Sequence, residues 1–250
     1  MNAAGLLVLA LAFAFPNDQG TRLLATGEIA QPEILRIALC SGGQQLSVQF
    51  ERRQAEGQNT TGRQAPQNFA QTAGAVFRIV GGTLSPAATC VLAEESFLTG
   101  ATRVPLKRPP QDARCSKAMY PQFQADKNRP VVGCWPIAES GAGVQAAIIE
   151  FSRRLTLALA SLVVIDGERL MYIDYQANFK GPGDDLWRVD DGGEIHAEGF
   201  TVIFLLKRGT TYVLAVDWAG AEGRALSVQT ADGSGQFKEI ISDSWYRSPM

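Results

Sequence analysis

Asp184, Asp185, Asp190, Asp191, Glu194 and Glu198 crowd the segment Gly183–Glu198, with Trp187, Gly192-Gly193 and His196 among them. Carboxylates gathered around a glycine turn have the chemistry of a calcium site, which takes about 6–8 oxygens in a flexible cage. The spacing is not that of the D-x-[DN]-x-[DN]-G calcium loop. Two such carboxylates also suit acid and base roles in glycoside cleavage, where their separation decides the outcome. The plainest reading is a solvated loop between strands, since Asp-Gly chemistry builds turns. On that reading no metal is bound, and Asp184, Asp185, Trp187, Asp190, Asp191, Glu194 and His196 are candidates for contact with a partner. Calcium is the one cofactor the segment suggests.

His196 is the only histidine, so a Ser–His–Asp triad would have to use it. The nucleophile-elbow pattern G-x-S-x-G is absent. Neither a P-loop nor a Gly-x-Gly-x-x-Gly in a strand–helix setting occurs. No catalytic residue is assigned, and the chain reads as a binding protein before it reads as an enzyme.

Cys40, Cys90, Cys115 and Cys134 allow three pairings. Cys40–Cys90 with Cys115–Cys134 staples each half of the chain separately and is the favoured set. By loop entropy the first bond contributes about 4 kcal/mol and the second about 3. A zinc site is disfavoured, because C-x-x-C is missing and His196 is distant.

The compartment follows from the first fourteen residues. Leu6–Ala14 is an apolar run with the small-residue exit Ala12-Phe13-Ala14, followed by Pro16-Asn17-Asp18. This predicts a secretory leader over 1–14, although the first five residues carry no Lys or Arg. A short buried element is the alternative. Export places the chain in the periplasm or outside the cell, where thiols oxidise. No segment reads as a membrane span. With 23 basic and 25 acidic residues, net charge −2, the chain has no field to attract nucleic acid.

The elements that must position these groups are strands. The 25 glycines punctuate short apolar runs, which predicts many tight turns and a mainly β fold. Three hairpins are expected. They are Leu35–Cys40 with Leu46–Phe50, Leu162–Ile165 with Leu170–Tyr175 across Asp166-Gly167, and Phe200–Leu206 with Thr211–Trp218 across Lys207-Arg208-Gly209. Further strands are expected at Val76–Val80, Val144–Phe151 and Ala225–Thr230, with a helix over Ala142–Leu162 as the rival reading of that stretch. Val202–Leu206 is apolar on both faces and is placed centrally in a sheet. Arg53–Ala73, polar but for Phe69, reads as a mobile loop. Arg103–Pro130 holds five prolines and seven basic residues, which suits an interdomain linker. Its charge is opposite to that of the acidic segment, which suits internal pairing between them. Trp218 reads as core, and Trp245-Tyr246 as a docked cap or a partner contact.

A weak repeat relates Ile37–Arg53 to Ile137–Arg154, each an apolar pair, a glycine turn and a strand ending Phe-x-Arg-Arg. The expected architecture is two small antiparallel β-sandwich or partly open barrel units joined by a Pro-rich linker. The boundaries are a leader at 1–14, a first unit at 27–104, the basic linker at 105–133, a second unit at 134–232 and a tail at 233–250. The fragment Cys40-Ser41-Gly42-Gly43-Gln44-Gln45-Leu46-Ser47-Val48-Gln49-Phe50 resembles the Cys–turn–strand opening of small periplasmic C-type lysozyme inhibitors. It spans a small part of the chain and carries none of that family's inhibitory loop residues. The function expected is that of an exported, non-enzymatic binding or inhibitor-type protein with a protein or glycan partner. A secreted hydrolase using the carboxylate cluster, with or without calcium, is one alternative. A structural envelope interaction protein is the other.

Overall fold

Apolar runs separated by glycine turns become antiparallel ladders along nearly the whole chain. The computed structural model describes residues 10–178, 195–220, 222–231 and 235–247. It is mainly β, with 53% strand against 14% helix. The chain divides between Ala101 and Thr102 into two units.

The first unit is a closed barrel of six strands in the order β1-β2-β5-β4-β3-β6. They are β1 (Leu11–Pro16), β2 (Arg22–Ala25), β3 (Ile37–Cys40), β4 (Gln44–Gln54), β5 (Gly74–Val80) and β6 (Cys90–Ala93). Closure removes free edges from the sheet. Inward alternation is strict on β4, where Leu46, Val48 and Phe50 join the interior with Phe77, Ala38 and Leu92. Cys40 and Cys90 are directly paired on β3 and β6, and their cystine crosslinks neighbouring strands.

The expected leader over 1–14 overlaps the first barrel strand. Residues 1–9 lie outside the described residues, but Leu11–Pro16 is a barrel strand paired with both β2 and β6. Ala12 and Ala14 point inward, and Phe13 and Phe15 are buried as well. A cut after Ala14 would split this strand. The alternation Ala-Phe-Ala-Phe satisfies a leader exit and equally a strand whose small residues face a narrow barrel interior, so the sequence alone did not separate them.

Arg53–Ala73 is also ordered rather than loose. Gln54 Nε2 donates to the carbonyls of Phe69 at 2.7 Å and Thr72 at 2.8 Å. Asn68 Nδ2 donates to the Arg63 carbonyl at 2.8 Å. Gly57 N–H donates to the Gln71 carbonyl at 2.9 Å. Amide side chains here satisfy backbone groups that a larger apolar content would otherwise bury in ladders. Phe69 anchors the segment, with its ring edge-on to Phe15 at 5.9 Å.

The second unit is a sandwich. Strand β7 (Thr102–Arg103) and helix α1 (Tyr120–Lys127) precede β8 (Val131–Glu139), β9 (Gln145–Arg154), β10 (Leu157–Asp166) and β11 (Arg169–Asn178). Then follow β12 (Phe200–Arg208), β13 (Thr211–Ala219), β14 (Gly223–Ala231) and β15 (Lys238–Tyr246). The sheets run β11-β10-β9-β8 and β15-β14-β13-β12-β7. Ile148, Leu162, Val164, Leu205, Leu214 and Val216 share the core between them. All three expected hairpins form, and the stretch with a rival helical reading is the β9–β10 hairpin. β12 lies second from one edge of its sheet, paired along its length with β13 and on its other side with the two-residue β7. Its apolar run reflects burial of both faces rather than sheet position: Leu205, Leu206 and Phe204 are all buried.

The expected linker is part of this unit. Cys115, Phe123, Met119 and Tyr120 cover the far face of the four-stranded sheet, against Ile149, Phe151, Leu159 and Val163. This explains why β9 and β10 are apolar on both sides. Prolines keep the stretch out of the ladders, and the Cys115–Cys134 cystine ties it down. The expected tail is β15, with Trp245 buried against the sheet and its Nε1 donating to Asp243 at 2.9 Å. The two units differ in architecture, so the weak repeat marks two hairpins and not two like domains.

Candidate functional site

Of the acidic segment, Asp184, Asp185, Trp187, Asp190, Asp191 and Glu194 lie outside the described residues, so their geometry enters no argument below. His196 is exposed and precedes the short 3-10 turn Ala197–Gly199. Glu198 sits on that turn. Its carboxyl is held below the ordinary range first by its own backbone N–H, with Gln111 adding a donor. Arg108 donates to the Glu198 carbonyl at 3.1 Å, so the basic stretch does reach the end of the acidic one, through backbone oxygens. The cleft there, between Arg108 and Trp135, holds only about 20 Å³, too little for a ligand.

Two ionic clusters brace the sandwich. In the first, Lys127 at the end of α1 donates to Asp174 Oδ2 at 2.7 Å and lies 4.1 Å from the centre of the Tyr172 ring. Ser161 donates to the other oxygen of Asp174 at 2.6 Å, and Tyr172 donates to Asp126 at 2.7 Å. Burial, then Asp126, push the Tyr172 hydroxyl well above the ordinary tyrosine range. Ser161 is fully buried, so it is no nucleophile for an outside substrate. This cluster fastens α1 to the sheet. In the second, Tyr212 donates to Asp166 Oδ2 at 2.5 Å and Lys207 to the same oxygen at 2.9 Å. Those two donors, Tyr212 first, hold the Asp166 carboxyl below its ordinary range. The cluster joins the tight turn after β10 to the turn between β12 and β13.

Among the described residues, a concave site of ligand size lies on the barrel wall. A groove of about 380 Å³ runs between the β1–β2 turn at Asn17–Gln19 and the segment Pro66–Ala70, within the range of ligand pockets. Phe69 and Pro66 give it an apolar side, and Arg22 and Arg52 a cationic one. Asp18 stands at its rim. Arg22 on β2 is paired directly with Arg78 on β5, an unfavourable like-charge pair. Glu51, in the β4 bulge, offsets it. Arg22 Nε donates to Glu51 at 2.8 Å and Arg52 approaches the same carboxylate at 3.3 Å. Arg22, ahead of the other cations, draws the Glu51 carboxyl below its ordinary range. Two guanidiniums thus share one carboxylate on this wall, Arg78 donating to Gln49 instead, and the side chains of Arg22 and Arg52 stay 41% and 47% exposed.

Sequence reasoning did not find this set. Its residues come from β2, β4, β5 and a polar connector, and nothing in their spacing brings them together. Phe69, alone among polar neighbours, was the one visible signal. No protein-family model, no curated protein and no solved structure matches the chain.

Proposed function

We propose that the protein is an exported, non-enzymatic binding or inhibitor-type protein, and that the barrel-wall groove takes a carboxylate-bearing segment of its ligand. The observation that carries this reading is a pair of guanidiniums, Arg22 and Arg52, left 41% and 47% exposed in a groove of ligand size with Pro66 on its wall. Arginine forks recognise carboxylates in bidentate fashion. Export is supported by the two cystines, which persist in oxidising compartments.

Calorimetric titration with a panel of acidic peptides and uronic-acid sugars tests the groove. One class should bind, more weakly as salt is raised, with at least a tenfold loss in the Arg52→Ala variant. Absence of heat across the panel, or binding indifferent to Arg52→Ala, would remove the groove as the recognition site.

A further inference from the structure

Three hairpins of the second unit close with two-residue turns, at Arg154/Leu157, Asp166/Arg169 and Arg208/Thr211. In each, the first turn residue takes a positive φ: 50° at Leu155, 61° at Gly167 and 58° at Gly209. Glycine is the residue this position favours, because a Cβ is strained there. Two of the turns comply. The third places a leucine there, and that leucine is 96% exposed, so no packing offsets the strain.

The surroundings of this tip are cationic and braced. Ser152-Arg153-Arg154-Leu155-Thr156 contains no acid, and Arg153, Arg154 and Thr156 are exposed. Arg154 donates to the Asn128 carbonyl, and Arg129 to the Leu157 carbonyl at 3.1 Å, so the chain after α1 holds the turn in place. An exposed apolar side chain beside two arginines, on a turn whose backbone is strained and hydrogen-bonded, has the composition of an interface anchor, and a backbone held beforehand lowers the cost of ordering on contact.

We propose that the β9–β10 tip is a docking knuckle for a protein partner, with Leu155 entering an apolar pocket whose rim carries carboxylates. A protein pocket is favoured over a lipid surface because the tip has one apolar anchor. Membrane attachment needs more buried apolar surface than one leucine beside two cations supplies. The proposal rests on the binding reading but uses a surface of the second unit, whereas the groove belongs to the first.

The test uses the full chain with p-benzoylphenylalanine in place of Leu155, irradiated in an extract of the cells that make it. The expected result is a discrete adduct that excess native chain competes away. It should fall at least tenfold in the Arg153→Glu/Arg154→Glu variant, and its mapped site should be an apolar pocket rimmed by Asp or Glu. Leu155→Gly should remove competition while leaving the thermal midpoint unchanged or higher. An adduct indifferent to charge reversal, no adduct at all, a lowered midpoint in Leu155→Gly, or co-sedimentation of the native chain with phosphatidylglycerol vesicles would each overturn the assignment. Loss of the adduct with groove binding intact rejects the knuckle alone; loss of both rejects the binding reading too.

Discussion

Asp166 shows how single residues are committed in this protein. It accepts from a tyrosine and a lysine that both come from the opposite sheet of the sandwich, so its charge links two turns that sequence alone keeps apart. Its carboxyl lies lower in the folded chain than in the unfolded one. The stability it contributes is therefore present above the ordinary carboxylate range and is lost as pH falls through the folded value. Asp166→Asn should cost about 1–3 kcal/mol at neutral pH, the scale of a hydrogen bond to a charged group. The difference from the parent should shrink in urea titrations at progressively lower pH; a constant gap would mean that the charge is not what matters. The Asp-Gly dipeptide announced a turn here, correctly, but nothing in it announced Tyr212 or Lys207. Leu155 was silent for a related reason. A leucine at the end of an alternating run reads as one more strand residue, and only the backbone reveals that it occupies a glycine's position.

Element by element, periodicity was a good guide wherever one face meets a core and the other meets water. The β3–β4 hairpin, β5, and the hairpins β10–β11 and β12–β13 all follow from alternation and glycine turns. It failed where the covering partner is remote or the strand short. β1 overlaps the expected leader: both of its faces are buried, which turns alternation into a continuous apolar run. Phe13 is 3% exposed, and Phe13→Ala should cost about 3–5 kcal/mol, measured by thermal or chemical unfolding of the full chain. An unchanged midpoint would show that the strand is dispensable. The Pro-rich stretch looked like a linker because prolines and charges dominate its composition. Phe123, Met119 and the cystine nevertheless pin it over the sheet. β15 looked like a tail because its polar residues outnumber its apolar ones, yet Trp245 alone gives it a buried anchor.

At the scale of the whole molecule, the crosslinks sit one in each unit, as the favoured pairing expected. Their roles differ. Cys40–Cys90 joins strands already paired in a closed barrel, while Cys115–Cys134 fastens the start of a covering segment that Phe123 and the Lys127–Asp174 pair hold further on. The double substitution Cys115→Ser/Cys134→Ser should lose about 3 kcal/mol by chain entropy. Hydrogen exchange should show deprotection concentrated in residues 115–127 and on the far face of β9 and β10. Uniform protection across the unit would contradict that division of labour. The sequence by itself determined that the chain is mainly β and where most of its hairpins turn; of three cysteine pairings it only favoured the one that forms. Those features are written in local spacing: a strand alternates every second residue, and a tight turn needs glycine within it. Only the tertiary structure decided that the barrel closes through β1, that the basic stretch roofs a sheet, and that Arg22 and Arg52 meet at Glu51. Such facts depend on which distant segments become neighbours. That choice is made by complementary surfaces across the fold, and no window of sequence contains both sides of it.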